Sequence, residues 1–511
     1  MTLARHTLVN YVSHAYVALA GLLGLVAYVR FVDAETYGLI AFYGVLQTWF
    51  MLLDLGLGAT LARETARHRA GGLDTAALAR LARLVRRVQQ VLVAVGAAGL
   101  LAVVLASGFI THQWLKIESL DLASTRWALQ LMAGSLMLRF VTVAYRSVLT
   151  GTEDFVRLGV LNIVFASLRF LVVIPLFMYV GTDALHFFAY QLGVAVLEVL
   201  VMRRHAGQSL AAVLPAVQKP SNKRTAPAPF ITRELWRFAA AAGATAALWI
   251  AVTQVDRLIL SLLLPLAQFG YFSLAVLVAS SLFVASTPIN TVLLSRLSVL
   301  QAARNVTEVH RLYRMGTQLM AVVCLPVAGV LWVLAGPTLW LLTGNRELAL
   351  AADSVLAFYA IGNACLLFAM CPYLLLYARG QMGLHVAGQL LLLAALAPAM
   401  FWAARQGGID HTGPVWMACN ALYLLLWVPV MHQRHWPGMH RQWLTRDIAP
   451  IALPVVAISA LWPLLVAPPP DRVSAALQIG ALGSLLVLTA TLASPVLRRW
   501  LLALLQRRRA H

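Results

Sequence analysis

Apolar runs of membrane-spanning length recur fourteen times along the chain, separated by short polar breaks. They lie at about 8–30, 38–60, 88–110, 127–149, 156–180, 184–203, 237–262, 269–294, 316–342, 351–377, 384–404, 413–433, 448–468 and 474–495. A helix needs roughly 20 apolar residues to cross the hydrocarbon layer, and each run meets or approaches that length. The pattern predicts an all-α polytopic membrane protein of about 14 transmembrane helices. The first run has Arg5 ahead of it and Ala18-Leu19-Ala20 within it, as a secretory leader would. It stays apolar through Val29, however, which is too long for a cleaved segment, and it is read as a retained span.

Composition sharpens this picture. Of 511 residues, 61% are apolar and 11% charged, against about 25% charged in a soluble domain. The mean hydropathy is +0.80. Disorder, a collagen repeat and a disulfide scaffold are excluded. The four cysteines (Cys324, Cys365, Cys371, Cys419) lie in apolar runs without metal-ligand or disulfide-framework spacing. They read as small core residues, and no cofactor or metal is expected.

A net charge of +20 would suggest nucleic acid in a soluble protein. Here the fourteen spans account for it. Thirty of the 39 Lys and Arg fall on the side that holds both termini, six fall on the other side, and Arg139, Arg169 and Arg257 lie inside spans. Lys and Arg gather in cytoplasmic loops, so both termini are expected in the cytoplasm, with no nucleic-acid partner. The stretches Asp74–Val88 and Leu497–Arg509 alternate Leu/Val with Arg at helical spacing. Both suit helices lying on an anionic lipid surface.

The polar, proline-bearing segment 205–235 divides the first six spans from the rest. The expected organisation is a six-helix lobe (1–204), a cytoplasmic linker (205–235), a second six-helix lobe (236–433), and two further helices with a basic tail (434–511). A shift of 232 superposes Tyr37-Gly38 on Phe269-Gly270. It also lays Asp54-Leu-Gly-Leu-Gly58 over Ser286-Thr-Pro-Ile-Asn290. Two parallel repeats are therefore expected, each interrupted late in its second span. Interruptions at matching positions point to a transporter's substrate cavity.

Polar groups inside the spans are the candidate chemistry, because a charge at mid-bilayer costs about 2.5–3.5 kcal/mol even on the lenient scale. Tyr43, Gln47, Phe50 and Asp54 share one helical stripe. Arg139 and Arg146 are seven residues apart in the fourth span, as are Asn162 and Arg169 in the fifth; Asp256 and Arg257 sit together in the seventh. Arg139, Arg169, Arg257, Gln47 and Asn290 are candidate substrate contacts. Asp54 and Asp256 are candidate coupling carboxylates or ion-pair partners, Asp54 with Arg139 or Arg169, Asp256 with Arg257. Arg146 is expected to snorkel toward the cytoplasmic face. Asn363, Asn420 and Tyr423 are expected to bond between helices. No P-loop, G-x-S-x-G, HExxH or EF-hand pattern occurs. Asp33-x-Glu35 leaves a membrane glycosyltransferase as a minor alternative.

Tyr37-Gly38 with Asp54-Leu-Gly-Leu-Gly58-Ala-Thr-Leu-Ala-Arg63 resembles the second span of bacterial polysaccharide flippases, of the multidrug/oligosaccharidyl-lipid/polysaccharide exporter (MOP) superfamily. Arg146-Ser-Val-Leu-Thr-Gly151-Thr-Glu-Asp-Phe155 is similar to the turn after their fourth span. Gln254-Val-Asp256-Arg257-Leu and Gly270-Tyr-Phe-Ser-Leu-Ala275 are similar to their seventh and eighth. The likeness covers about the first 300 residues, and the remainder mainly by span count. It implies two lobes with alternating access in the bacterial inner membrane and no enzymatic activity. The implied substrate is an undecaprenyl-diphosphate-linked oligosaccharide for O-antigen, capsule or exopolysaccharide, with polysaccharide polymerase and assembly proteins as partners. A multidrug/cation antiporter or a major-facilitator transporter is the alternative. The first would favour an acidic cavity, and the second lacks its usual G-x-x-x-D-R-x-G-R-R loop here.

Overall fold

Each of the fourteen apolar runs becomes a helical segment in the computed structural model, which describes residues 2–54, 56–70, 75–213 and 233–499. In chain order they are α1 (Val12–Tyr28), α2 (Ala34–Asp54), α3 (Leu81–Trp114), α4 (Leu122–Gly151), α5 (Phe155–Tyr179), α6 (Ala184–Ala211) and α7 (Gly243–Leu263). There follow α8 (Leu266–Ala302), α9 (Val306–Val333), α10 (Arg346–Ala378), α11 (Gly383–Gly407), α12 (Thr412–His435), α13 (Met439–Leu465) and α14 (Arg472–Ala493). Among the described residues thirteen are long and apolar enough to cross a membrane; α1 is the apolar part of a helix that runs Thr2–Tyr28. Among the described residues the only β pairing is an isolated bridge between Lys116 and Pro265. The chain forms two compact units, Met1–Gly270 and Tyr271–His511.

In the first unit the short loop after α3 does the joining. Glu35, at the start of α2, is 5% exposed. Its carboxylate accepts from the backbone N–H groups of Glu118, Ser119 and Leu120 at 2.7–2.9 Å and from the Ser119 hydroxyl. Asp33 caps α2 by accepting from the N–H groups of Glu35 and Thr36. Both carboxylates of the Asp33-x-Glu35 pair are thus occupied in holding backbone. From the same loop Lys116 Nζ donates to the Leu263 carbonyl, and Trp114 Nε1 to Ser261 Oγ. These bonds fix the α7–α8 turn.

The first repeat motif has a packing role. A side chain at Gly38 would collide with the Leu266 carbonyl oxygen, and one at Gly270 would lie 3.0 Å from the Gly38 nitrogen and 3.2 Å from the Ala34 carbonyl oxygen. The shift of 232 that relates Gly38 to Gly270 also relates Ala34 to Leu266. The contact is therefore reciprocal, the signature of a local two-fold relation.

The second repeat motif behaves differently in its two copies. The chain does break after Asp54, where a 3₁₀ turn (Leu52–Asp54) leads into Gly56 at φ 79° and a connecting helix, Leu57–Ala70. By contrast, the helix Ser281–Ala302 runs through Pro288. The interruption in α8 lies earlier, at Ser280, where Asn363 Nδ2 donates to the Ala279 carbonyl at 3.1 Å. A proline removes one donor but need not end a membrane helix, because hydroxyl side chains and neighbouring groups take up the slack. Here Pro288 frees the Val284 carbonyl, and the hydroxyls of Ser286 and Thr287 reinforce the adjoining turn by donating to the Phe283 carbonyl.

The basic stretch before α3 also departs from expectation. It is not a separate surface helix but the first turns of one helix, Thr75–Phe109. Leu81, Val85 and Val88 are buried against Leu61, Phe140 and Val148 rather than turned to lipid, while Arg83, Arg86 and Arg87 are exposed. Of the other sequence-based expectations, the linker stretch 214–232 and the tail beyond Arg499 lie outside the described residues.

Candidate functional site

Three helices of the first unit carry polar pairs seven residues apart: Arg139 and Arg146 on α4, Asn162 and Arg169 on α5, Gln191 and Glu198 on α6. Seven residues is nearly two helical turns, so each pair lies on one face, and the fold turns these faces together. Arg139 Nη2 donates to Gln191 Oε1 at 2.6 Å. Arg146 Nη2 donates to Glu198 Oε1 at 2.8 Å, and its Nη1 to Asn162 Oδ1 at 2.8 Å. Arg169 Nη2 reaches the same Glu198 oxygen at 3.7 Å.

The local geometry of α5 makes this possible. Ser167–Leu171 is a single π-turn, a one-residue widening of the helix that is frequent at functional sites. It leaves carbonyls off the regular ladder, and side chains fill them. Tyr190 donates to the Leu168 carbonyl, Gln191 Nε2 to that of Arg169, and Tyr28 to those of Arg169 and Phe170, at 2.7–3.1 Å. Gln191 therefore bridges Arg139 to the π-turn that positions Arg169.

Charge within the cluster does not balance. Three guanidinium groups face one carboxylate. The Glu198 side chain is 1% exposed, that of Arg169 13% and that of Arg146 33%. Arg139 is buried with no carboxylate partner; its charge lies over the Tyr43 ring, 5.4 Å from the centroid, an attraction worth about 2 kcal/mol when desolvated. Tyr43 accepts from Ser135 at 3.1 Å. Arg139 Nε and Glu198 Oε2 are both buried without a hydrogen-bond partner. A buried polar atom left unpaired costs about 1–3 kcal/mol, so the cluster is poised to accept a further partner.

Other sequence-predicted residues fall elsewhere. Asp54 pairs with neither Arg139 nor Arg169. At the break in α2 its Oδ1 accepts the Gly58 N–H at 3.0 Å, the local bond that a short carboxylate side chain prefers at a helix start. Arg146 does not snorkel, because Glu198 and Asn162 hold its head. Gln47 is half-buried on the α2 stripe and takes no part in the cluster's hydrogen bonds. Asp256 is buried and accepts the backbone N–H of Arg257 at 2.7 Å, while Arg257 Nε is buried without a partner. Asn290 belongs to the second unit, where its amide lies 3.4 Å from Ser286 Oγ and its Oδ1 has no partner. Asn363 bonds between helices as expected, accepting from Trp416 as well as capping Ala279. Asn420 instead donates to the Trp416 carbonyl of its own helix.

Sequence reasoning passed over Glu198 and Gln191. Their signal was present: a lone acid and an amide seven residues apart in an otherwise apolar run, the same spacing already noted in the two preceding spans.

The second unit has its own buried network. Arg314 on α9 donates through Nε and Nη2 to the two oxygens of Asp447 on α13, at 2.8 and 3.0 Å. Gln318 Nε2 donates to Asp447 at 2.7 Å, and its Oε1 accepts from Ser494 Oγ and the Val496 N–H beyond α14.

Residues 3–301 match the model of a family described as polysaccharide biosynthesis protein, which is more than half of the chain. The chain belongs to that family. No individually curated protein matches it. Among solved structures, this polysaccharide biosynthesis protein is similar to the lipid II flippase MurJ in an inward closed conformation. The TM-score is 0.72 at 12% identity, over 97% of this chain and 100% of that one. It is also similar to an inward-facing multidrug resistance MATE family transporter of the MOP superfamily, with TM-score 0.66 and 12% identity over 83% and 94% of the two chains. A third likeness is to a MOP superfamily transporter from Pyrococcus furiosus, with TM-score 0.56 and 14% identity over 84% and 94%. The chain therefore has the fold of these three proteins.

Proposed function

We propose that this protein flips an undecaprenyl-diphosphate-linked oligosaccharide across the bacterial inner membrane by alternating access. Both termini face the cytoplasm, and the exported sugar feeds a polysaccharide polymerase and its assembly proteins. One observation carries the reading: Arg146 and Arg169 share the single carboxylate of Glu198 inside the membrane-spanning part of the first unit, with Arg139 held beside them by Gln191, leaving surplus positive charge. A diphosphate presents two negative groups and several acceptor oxygens, and guanidinium forks match phosphate geometry. A cation exporter would call for the opposite sign. Occupation of Asp33 and Glu35 by backbone N–H groups further disfavours the glycosyltransferase alternative, since neither carboxylate is left to act on a substrate.

A headgroup with roughly two negative charges gains about 2.3 kcal/mol per charge per 100 mV on moving outward, so the membrane potential can drive export. The test is flipping of a defined lipid-linked sugar in proteoliposomes without nucleotide. Imposing the potential should accelerate net flipping, and Arg139→Ala or Arg169→Ala should abolish it at normal protein levels. Flux indifferent to the potential and to both substitutions, with activity only on adding ATP, would overturn the reading.

A further inference from the structure

Glu198 invites a specific role, because it occupies the arginines in the way an anionic ligand would. Its Oε1 takes a hydrogen bond from Arg146 and lies in ion-pair reach of Arg169, while its Oε2, equally buried, has no donor. A carboxylate serving only to tie α4, α5 and α6 together would be expected to satisfy both oxygens, as Asp447 does in the second unit. The charged groups that act on Glu198 are Arg146 and Arg139 from α4 and Arg169 from α5; the neutral Asn162 shares Arg146, Tyr43 lies under Arg139, and Tyr190 on the same helix is taken by the Leu168 carbonyl. Among the described residues no other carboxylate forms an ion pair with these cations, and Asp54 is turned to Gly58.

Resting on the function proposed above, we infer that Glu198 is a built-in stand-in for the substrate's phosphate, displaced when the diphosphate arrives and protonated as it is displaced. When phosphate oxygens take over the Arg146 and Arg169 guanidiniums, the carboxylate stays buried and loses its counter-ions. A buried, unpaired charge is the costlier state, and the group neutralises instead. The balance is one diphosphate bound and one proton taken from solvent onto Glu198, where an O–H bond forms; no other covalent bond changes. Release of the substrate outside returns the proton there and restores the Glu198–Arg146 pair, so each cycle carries about one net negative charge outward rather than two, still in the direction the potential favours. Glu198 is thus a positioning and competing residue for the arginines, rather than a contact of the substrate.

The experiment is calorimetric titration of the purified full-length protein in nanodiscs with inorganic pyrophosphate. Buffers of low and high ionisation enthalpy give the number of protons taken up per pyrophosphate bound. Counted beyond pyrophosphate's own change of protonation, fixed by repeating the titration across pH, wild-type protein should take up close to one proton, and binding should disappear in a combined Arg146→Gln/Arg169→Gln variant. Glu198→Gln should bind about tenfold more tightly, the equivalent of one unit of binding constant on a logarithmic scale, with no proton uptake. A purely structural carboxylate gives the reverse, weaker binding in Glu198→Gln, and overturns the inference. Arginine-dependent binding by wild type without proton uptake also overturns it, while leaving the proposed function in place. Absence of arginine-dependent binding overturns both. Should Glu198→Gln fail to fold, the wild-type proton count decides alone.

Discussion

Each unit buries an arginine–carboxylate network, and the two are built on opposite principles. In the second unit Arg314, Asp447 and Gln318 close on one another and on Ser494 and Val496. One cation meets one anion through a two-pronged bond, and none of the side-chain atoms of these three residues is among the buried unpartnered ones. In the first unit two cations share one anion and a third, Arg139, has only an amide and a ring, while an arginine nitrogen and a glutamate oxygen remain buried without partners. The balanced network secures α13 and the end of α14 to α9. The unbalanced one keeps capacity for a ligand. Charge balance and donor satisfaction, rather than burial alone, separate a fastening from a binding site.

The contrast can be broken by mutation. The largest effect is expected at the balanced network. Asp447→Ala strands Gln318 Nε2 and leaves Arg314, 35% exposed, to solvent; it should cost about 2–3 kcal/mol, seen as loss of folded protein in detergent. The matched double change Arg314→Met/Asp447→Leu should recover part of that stability, because apolar replacement of a whole buried pair is often close to neutral. Arg139→Gln should act differently. It relieves an unmatched charge but gives up the Tyr43 contact, so the loss of stability should stay at about 1 kcal/mol, well below that of Asp447→Ala, while flipping is lost. A collapse of Arg139→Gln comparable to that of Asp447→Ala would erase the distinction.

A smaller effect, about 1–3 kcal/mol from overpacking, is expected for Gly38→Val, whose side chain meets the Leu266 carbonyl. Tolerance of valine there would show that the reciprocal crossing is not a close one. Topology provides a sharper check without an energy scale: cysteines placed at His112 and Glu308 should label from opposite faces of intact cells, and labelling from one face would sink the fourteen-span orientation. The smallest effect belongs to Asp471, which starts α14 in a capping box with Ser474. The Ser474 backbone N–H and hydroxyl hold its carboxyl below the usual aspartate range. Its contribution is therefore present above about pH 4 and lost as the pH falls further, through the lowered folded value. Asp471→Asn should lower the melting temperature slightly at neutral pH and not at all once wild-type Asp471 is protonated.

Span number and position were legible because they depend on a local quantity, the length of apolar sequence a bilayer requires. The arginines were legible too, since a charge in such a run stands out by itself. Their partners were not. Asp54 looked available to Arg139 because both lie in spans, but Gly56 breaks the chain two residues later and gives the carboxylate a nearer donor. Glu198 lay in a run with no other acid and only gains meaning once α6 is known to face α4 and α5. The π-turn that turns Arg169 toward Glu198 has no proline or glycine within it, as Ser167–Leu171 reads Ser-Leu-Arg-Phe-Leu; its one mark is Pro175, a turn further on, which leaves the Leu171 carbonyl without its usual donor. The break in α8 fell at Ser280 rather than Pro288 because satisfaction of the freed carbonyl by Asn363 is a tertiary fact.

That π-turn also has a genealogical consequence. A π-turn is in effect one residue inserted into an α-helix, and removing it rotates everything on one side by about 100° relative to the other. Tyr28, Tyr190 and Gln191 bond to carbonyls that the insertion exposes, so the extra residue and its three caps form a single inheritable unit. Family members one residue shorter across 167–171 should lack the cation at Arg169 and have changed the capping residues with it. An alignment that treats the gap there as loop noise would discard the mark that dates the cluster's assembly.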